Sequence, residues 1–333
     1  IPLCIFVASM LEKSGVIEEV FDVAYKWLGR IPGGLAVATV VASTVLAAMV
    51  GVIGAAVVTM ALVALPSMLR RGYSPVLAVG TVMAGGTLGI LIPPSVLAIV
   101  YGLVANQSVG ELYLGSVFPG LVLSGLYILF SVGYALLNPK AAPRLSPEET
   151  PTWSERWRAL RSIWSPLVLI FLVLGTIFLG LAAPTEAAAI GAFGAMVVAA
   201  IHRRLSWTIL RLALEQTAKA TAMVMWIVFG ANAFVGFYIA QGGDRYVSEL
   251  LLGTGLSPWG ILLLMQGILI VLGMFLDWVG ILLLAVPVFV PIIRDLGFDP
   301  LWFGVLYLVN MQISFLSPPF GYALFYVRGV APQ

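Results

Sequence analysis

A chain of 333 residues that is 61% hydrophobic and only 10% charged, with mean hydropathy +1.07, carries far more apolar surface than a soluble domain can hide. Composition therefore predicts a polytopic helical membrane protein embedded in a lipid bilayer. A net charge of +2 gives no reason to expect nucleic acid as a partner, and Cys4, the sole cysteine, excludes an intramolecular disulfide and a cysteine-based metal site. The chain opens on Ile1 inside an apolar run and stops at Gln333 soon after another, so the expectation is that segments lie outside it at both ends.

Residues 1–33 hold an apolar stretch, Ile1 to Met10, and an amphipathic one, Glu18 to Arg30. In the second, Val20, Phe21, Val23, Ala24, Trp27 and Leu28 fall on one helical face, which predicts an interfacial arm helix. Residues 34–107 come next. Gly34 to Leu69 has no charged residue and carries Gly51 and Gly54 near its middle. Two arms of about 15 residues reach only about 22 Å, short of a hydrocarbon core of about 30 Å. That predicts a re-entrant hairpin, with a pair of short tilted helices as the alternative. Val76 to Gln107 follows, and one straight helix over it would run about 48 Å, so it must bend or break. It contains Gly85, Gly86, Gly89 and the pair Pro93-Pro94.

Residues 108–257 read as ordinary spans: Leu112 to Leu137, Pro166 to Ala183, Ala187 to Ile201 and Ala220 to Ala240. The polar loop at 139–165 interrupts them, and a polar joint holding Asp244, Arg245 and Glu249 ends the series. Residues 258–333 repeat the earlier pattern: Gly260 to Ile293 has Asp277 as its only charge, and Leu301 to Val330 contains Pro318-Pro319. Arg70 and Arg71, the loop with Lys140, Arg144, Arg156, Arg158 and Arg161, and the joint with Arg203 and Arg204 all belong on the cytoplasmic side.

The two proline pairs are offset by 318 − 93 = 225 residues, and that offset also superposes Pro66 on Pro291, Gly72 on Gly297, Pro75 on Pro300 and Leu91 on Leu316. Five single spans separate the first hairpin from the second, and an odd number turns the second copy upside down. Inverted repeats with Gly/Pro-interrupted spans at matching positions are the signature of a secondary transporter with a site near the midplane. Unwound backbone survives in a bilayer only where it lines a cavity or is buried in protein. Its freed carbonyls suit a small hard cation, and the N-terminus of the following half-helix suits an anionic group. The plain alternative is a proline kink that binds nothing.

Three runs, GTLGILIPPS at 86–95, WLGRIPGGLAVATV at 27–40 and FLDWVGILLLAVPVFVPIIRDLGFDPLWFGVLYLVNMQISFLSPPFGYALF at 275–325, resemble the large membrane (permease) subunit of tripartite ATP-independent periplasmic (TRAP) transporters over essentially the whole chain. The resemblance implies sodium-driven import of an organic acid at the bacterial inner membrane by an elevator movement. It also implies two partners, a periplasmic substrate-binding protein and a small membrane subunit, separate or fused, and sodium ions as coupling ion. Carried onto this chain, one sodium would sit among Gly51, Gly54, Gly86, Thr87 and Gly89, the other among Gly273, Phe275, Gln312, Ser314 and Ser317. Pro94, Ser95, Ser317, Pro318 and Asp277 would face the substrate. The first tip departs from the family pattern: it reads Val50-Gly51-Val52-Ile53-Gly54-Ala55-Ala56, without a hydroxyl, so a cation there would rely on backbone carbonyls and Thr87.

Asp277 has two compatible readings, an N-cap for an arm starting at Trp278 and a cation or proton ligand. His202, beside Arg203 and Arg204, reads as an interfacial side chain. Arg328 reads as an anchor near the cytoplasmic surface, Glu186 as helix-start chemistry, and Trp153, Trp157, Trp164 and Trp207 as an interfacial belt. A single-chain divalent-anion/sodium symporter is the alternative function, although the Ser-Asn-Thr tips typical of that family are missing. An intramembrane enzyme would need convergent catalytic groups, which one histidine and one deep carboxylate do not supply.

Overall fold

The structure, a computed structural model, describes residues 2–144 and 151–330. The described residues form sixteen α-helices and no strand: α1 Pro2–Lys13, α2 Val16–Leu28, α3 Gly34–Val50, α4 Ile53–Arg70, α5 Pro75–Thr87, α6 Val96–Ala105, α7 Val109–Leu137, α8 Trp153–Ser162, α9 Trp164–Phe178, α10 Pro184–Ile201, α11 Trp207–Ala240, α12 Gly243–Leu252, α13 Pro258–Gly273, α14 Trp278–Asp295, α15 Pro300–Leu316 and α16 Tyr322–Val330. Local chemistry sets the starts. Side chains of Ser95, Ser108, Ser206, Ser257, Asp277 and Asp299 each accept a backbone amide of the first turn, satisfying donors that have no intrahelical partner. Prolines open α5, α10, α13 and α15, where the missing N–H costs nothing.

Both long apolar stretches fold as predicted, as two helices around a break. In the first, α3 ends at Gly51, whose φ of +63° is open to glycine at no steric cost. Val52 is extended and α4 restarts at Ile53. The arms are longer than expected, 17 and 18 residues, because α4 continues through Pro66 to Arg70. The predicted interruption of the next span is also present: α5 ends at Thr87, a 3₁₀ turn covers Leu88–Ile90, and α6 begins after the proline pair.

The 225-residue offset extends from single residues to whole elements. It places Ile53–Arg70 on Trp278–Asp295 end for end (53 + 225 = 278, 70 + 225 = 295) and the start of α5 on that of α15 (75 + 225 = 300). Packing follows the same exchange. α3 lies on α5 as α13 lies on α15, while α6 packs against α14 and α16 against α4. Each half-helix after a break thus crosses to the other repeat's hairpin, and the two copies interlock about a pseudo-two-fold relation, the inverted-repeat architecture the sequence predicts.

Two tyrosines at equivalent positions hold the crossing (101 + 225 = 326). Tyr101 is fully buried, donates its hydroxyl to the Pro300 carbonyl at 2.8 Å and packs its ring 5.8 Å from that of Tyr307. Tyr326 covers Gly54, where an added Cβ would lie 2.8 Å from the ring. Tyr101→Phe keeps the packing and removes the one hydrogen bond to the Pro300 carbonyl. We expect it to destabilise the protein by about 1–2 kcal/mol, read as a lower melting temperature in detergent.

Four sequence expectations change in detail. The polar loop is not wholly irregular, since α8 occupies 153–162; its residues 145–150 lie outside the described part. A reciprocal box between Thr152 and Glu155 starts α8, and Trp153 and Trp157 pack edge-on against Trp27 of α2, at 6.0 and 5.8 Å. The joint after α11 likewise folds as α12, and α11 begins at Trp207, a full 13 residues before Ala220. His202 is more than an interfacial side chain: it is largely buried, with Nε2 3.2 Å from a Glu19 carboxylate oxygen of α2. Glu186 does start its helix, accepting the Ala183 amide at 2.9 Å.

Among the described residues α4, α7, α10, α11 and α14 are long and apolar enough to cross a membrane, and α3, α5, α6, α13 and α15 are shorter apolar helices. α11 is the least buried of the long ones, with Trp226 76% and Phe229 74% exposed. Such a surface requires an apolar surrounding, which the bilayer supplies.

Candidate functional site

Each hairpin tip docks on the break of its own repeat through a backbone hydrogen bond. At the first, the Gly51 carbonyl accepts the Val96 amide at 3.2 Å, at the start of α6. Gly51 also lies so close to the Pro94 carbonyl that a Cβ would overlap it. Ser95, fully buried, donates to the Ile90 carbonyl at 2.5 Å and accepts the Ala98 amide at 3.3 Å; Tyr113 of α7 donates to its carbonyl at 3.3 Å. Gly86 faces Val57 of α4, and Gly89 faces Ala56 and Val52. Thr87 is buried, donates to the Ala84 carbonyl at 2.8 Å and interacts with Tyr127 of α7.

At the second tip the Met274 carbonyl accepts the Phe320 amide at 3.0 Å. Asp277 caps α14 through Oδ2, which accepts the Val279 amide at 3.2 Å. Ser314 lies against Gly273, where no Cβ would fit, and its Oγ is buried without a partner. Gly273, Leu276, Trp278, Ser314, Phe320 and Tyr322 line a narrow cleft here, and the Tyr322 hydroxyl interacts with the Asp277 carboxylate. Gln312 is buried with its Oε1 unpartnered, but it does not line this cleft.

The structure brings Gly273 and Ser314 together at one break, with Asp277 joined to their cleft through Tyr322, and Gly51, Pro94 and Ser95 at the other. Phe275 is 63% exposed and does not line the cleft. Ser317 donates to the Ile313 carbonyl at 2.8 Å, and Pro318 is exposed. Two groups were not foreseen. Tyr322 sits directly after the second break, and the sequence signal was its position in the first turn of the half-helix. Gln266 and Asn310 pair across α13 and α15, with Asn310 Nδ2 2.7 Å from Gln266 Oε1; two carboxamides inside apolar helices were the available signal.

The lining of the second cleft carries the hydroxyls of Ser314 and Tyr322 and no charged side chain, and the Asp277 carboxylate stands behind it on Tyr322. Such a set suits a hard monovalent cation better than an anion. A buried, unpaired oxygen such as Ser314 Oγ costs about 1–3 kcal/mol. No group of three or more His, Cys, Asp or Glu side chains able to hold a metal occurs among the described residues.

Comparison with known proteins agrees with this architecture. A family model described as "Tripartite ATP-independent periplasmic transporter, DctM component" matches residues 1–333. A C4-dicarboxylate TRAP transporter large permease protein of Pseudomonas aeruginosa is 34% identical over 331 residues, covering 99% of this chain and 76% of that one. An isethionate TRAP transporter permease protein of Oleidesulfovibrio alaskensis is 30% identical, covering 99% of this chain and 52% of that one. Among solved structures, the YdaH transporter of Alcanivorax borkumensis superposes with a TM-score of 0.68 at 18% identity, over 99% of this chain and 77% of that one; this is a likeness of fold alone. Relatives of this kind are transporter permease subunits and not enzymes. The chain belongs to the tripartite ATP-independent periplasmic transporter family, as its DctM component.

Proposed function

We propose that the chain is the translocating subunit of a sodium-coupled importer of small organic acids in the bacterial inner membrane. It takes substrate from a periplasmic binding protein and is braced by a small membrane subunit, and its interlocked repeats move together as an elevator. Family membership and relatives named for C4-dicarboxylates and isethionate, both small organic anions, support the substrate class. The observation that carries the reading is the second break, where Ser314 Oγ is buried without a partner beside a mid-helix interruption, next to a tyrosine, Tyr322, that holds the Asp277 carboxylate. Sodium bound there would supply positive charge beside an organic anion, in a site whose lining has no basic side chain. Coupling then follows from linkage: each ligand favours the state in which the other is bound.

The test is uptake of a radiolabelled C4-dicarboxylate into proteoliposomes holding the large and small subunits. The expected result is uptake that needs both an inward sodium gradient and the binding protein. Uptake unaffected by sodium would overturn the coupling. Sodium-driven uptake by this chain alone would favour the single-chain symporter instead.

A further inference from the structure

We propose that Arg156 and the tryptophans around it form a headgroup seat for an anionic phospholipid of the cytoplasmic leaflet, where α8 packs on the amphipathic arm helix α2. The inference uses neither the breaks nor any cation held there.

Arg156, Ala159 and Ile163 are buried. At i, i+3 and i+7 they form one stripe of α8, the stripe that faces a neighbour. That neighbour is α2, whose Trp27 donates Nε1 to the Arg156 carbonyl at 3.3 Å. A guanidinium therefore stands where the pattern calls for an apolar side chain. Arg156 is 8% exposed, and its Nε has no hydrogen-bond partner among the described residues. Its guanidinium lies over the Trp153 ring, 5.2 Å from the centroid, and Trp153 is itself 65% exposed, so the cation sits at the edge of the α2–α8 contact and not in its depth.

The described carboxylates near it are committed elsewhere. Glu155 closes the capping box with Thr152, Asp22 pairs with Lys26 and Glu19 with His202. Glu18 lies nine residues before Trp27, about 14 Å along α2. A buried charge is costly unless it is paired. The counter-ion this position calls for is an external anion.

The surroundings identify its source. Trp153 and Trp157 are 65% and 60% exposed, and indoles so placed suit the headgroup level of a bilayer, with the ring in an apolar layer and the N–H near water. α8 carries Arg156, Arg158 and Arg161 against Glu155 alone, in a loop that its basic residues assign to the cytoplasmic side. Basic amphipathic helices on that side take up anionic lipid. The lipid phosphate supplies paired oxygens that a planar guanidinium can hold side by side. Free phosphate would satisfy the charge but leave the tryptophans in water.

The experiment titrates the melting temperature of the purified, delipidated permease in neutral detergent with dioctanoyl phosphatidylglycerol, dioctanoyl phosphatidylcholine or inorganic phosphate. We expect phosphatidylglycerol to raise the melting temperature saturably, with a midpoint at least about tenfold below that of the other two. Arg156→Gln should raise that midpoint by about tenfold or more. Without lipid it should melt no earlier than wild type, because it removes an uncompensated buried charge. Arg156→Lys keeps the charge without the planar fork and should fall between the two. Arg158→Gln, at an exposed arginine of the same helix, should move the midpoint by no more than about threefold. Equal midpoints for the two lipids, or for phosphatidylglycerol and phosphate, would overturn the proposal. So would a shift as large with Arg158→Gln as with Arg156→Gln, which would reduce the site to diffuse surface charge. An Arg156→Gln protein that melts earlier or fails to fold without lipid would also overturn it, because the guanidinium would then already be paired within the protein.

Discussion

Asp277→Asn is expected to cut sodium-driven uptake by about ten- to a hundredfold while leaving the melting temperature in choline almost unchanged. Asp277 Oδ2 caps α14, and the carboxylate also meets the Tyr322 hydroxyl at the cleft. Asparagine keeps the cap, since its side-chain oxygen serves as well as a carboxylate at that position. It removes the charge, and a hydrogen bond or ion contact to a charged group contributes about 1.5–3 kcal/mol, which is about ten- to a hundredfold in affinity. Asp277→Ala should lose the cap as well and melt earlier. Equal uptake by wild type and Asp277→Asn would reduce Asp277 to a cap.

Gly51→Val should instead disrupt the fold, independently of sodium. A β-branched residue at φ +63° is strained by about 1–3 kcal/mol, and its Cβ would overlap the Pro94 carbonyl, adding about 1–3 kcal/mol of overpacking. The tip could relieve the overlap only by leaving α6, which would break the hydrogen bond from Val96 to Gly51. Gly80→Ala is the control: no atom lies within 4 Å of a Cβ there, and alanine favours a helix over glycine by about 1 kcal/mol. We expect Gly51→Val to lose folded protein on size exclusion and Gly80→Ala to retain it.

Much of this arrangement was legible because it depends on residues whose backbone chemistry is exceptional. Gly51 marks the first hairpin tip, Pro93-Pro94 and Pro318-Pro319 mark the breaks, and Asp277 caps the arm starting at Trp278, each where sequence reasoning placed it. Helix ends set by weaker signals drifted. α8 and α12 are amphipathic and short, and α8 is stabilised by packing on Trp27, a partner more than a hundred residues away that local pattern does not reveal. The pairing of His202 with Glu19 has the same origin. The difference between the two breaks was half visible: the missing hydroxyl at the first tip could be read directly. That Tyr113 donates to the Ser95 carbonyl depends on α7 folding back over that break, which only the tertiary structure shows.

The central claim, two interlocked copies of one unit in opposite orientation, is tested most directly by the sidedness of two equivalent residues. Arg70 and Asp295 are 225 positions apart, both exposed, at the last turns of α4 and α14. In a chain with Cys4 replaced by serine, Arg70→Cys should react with a membrane-impermeant maleimide from the cytoplasmic side only, and Asp295→Cys from the periplasmic side only. Labelling of both from the same side would contradict the account.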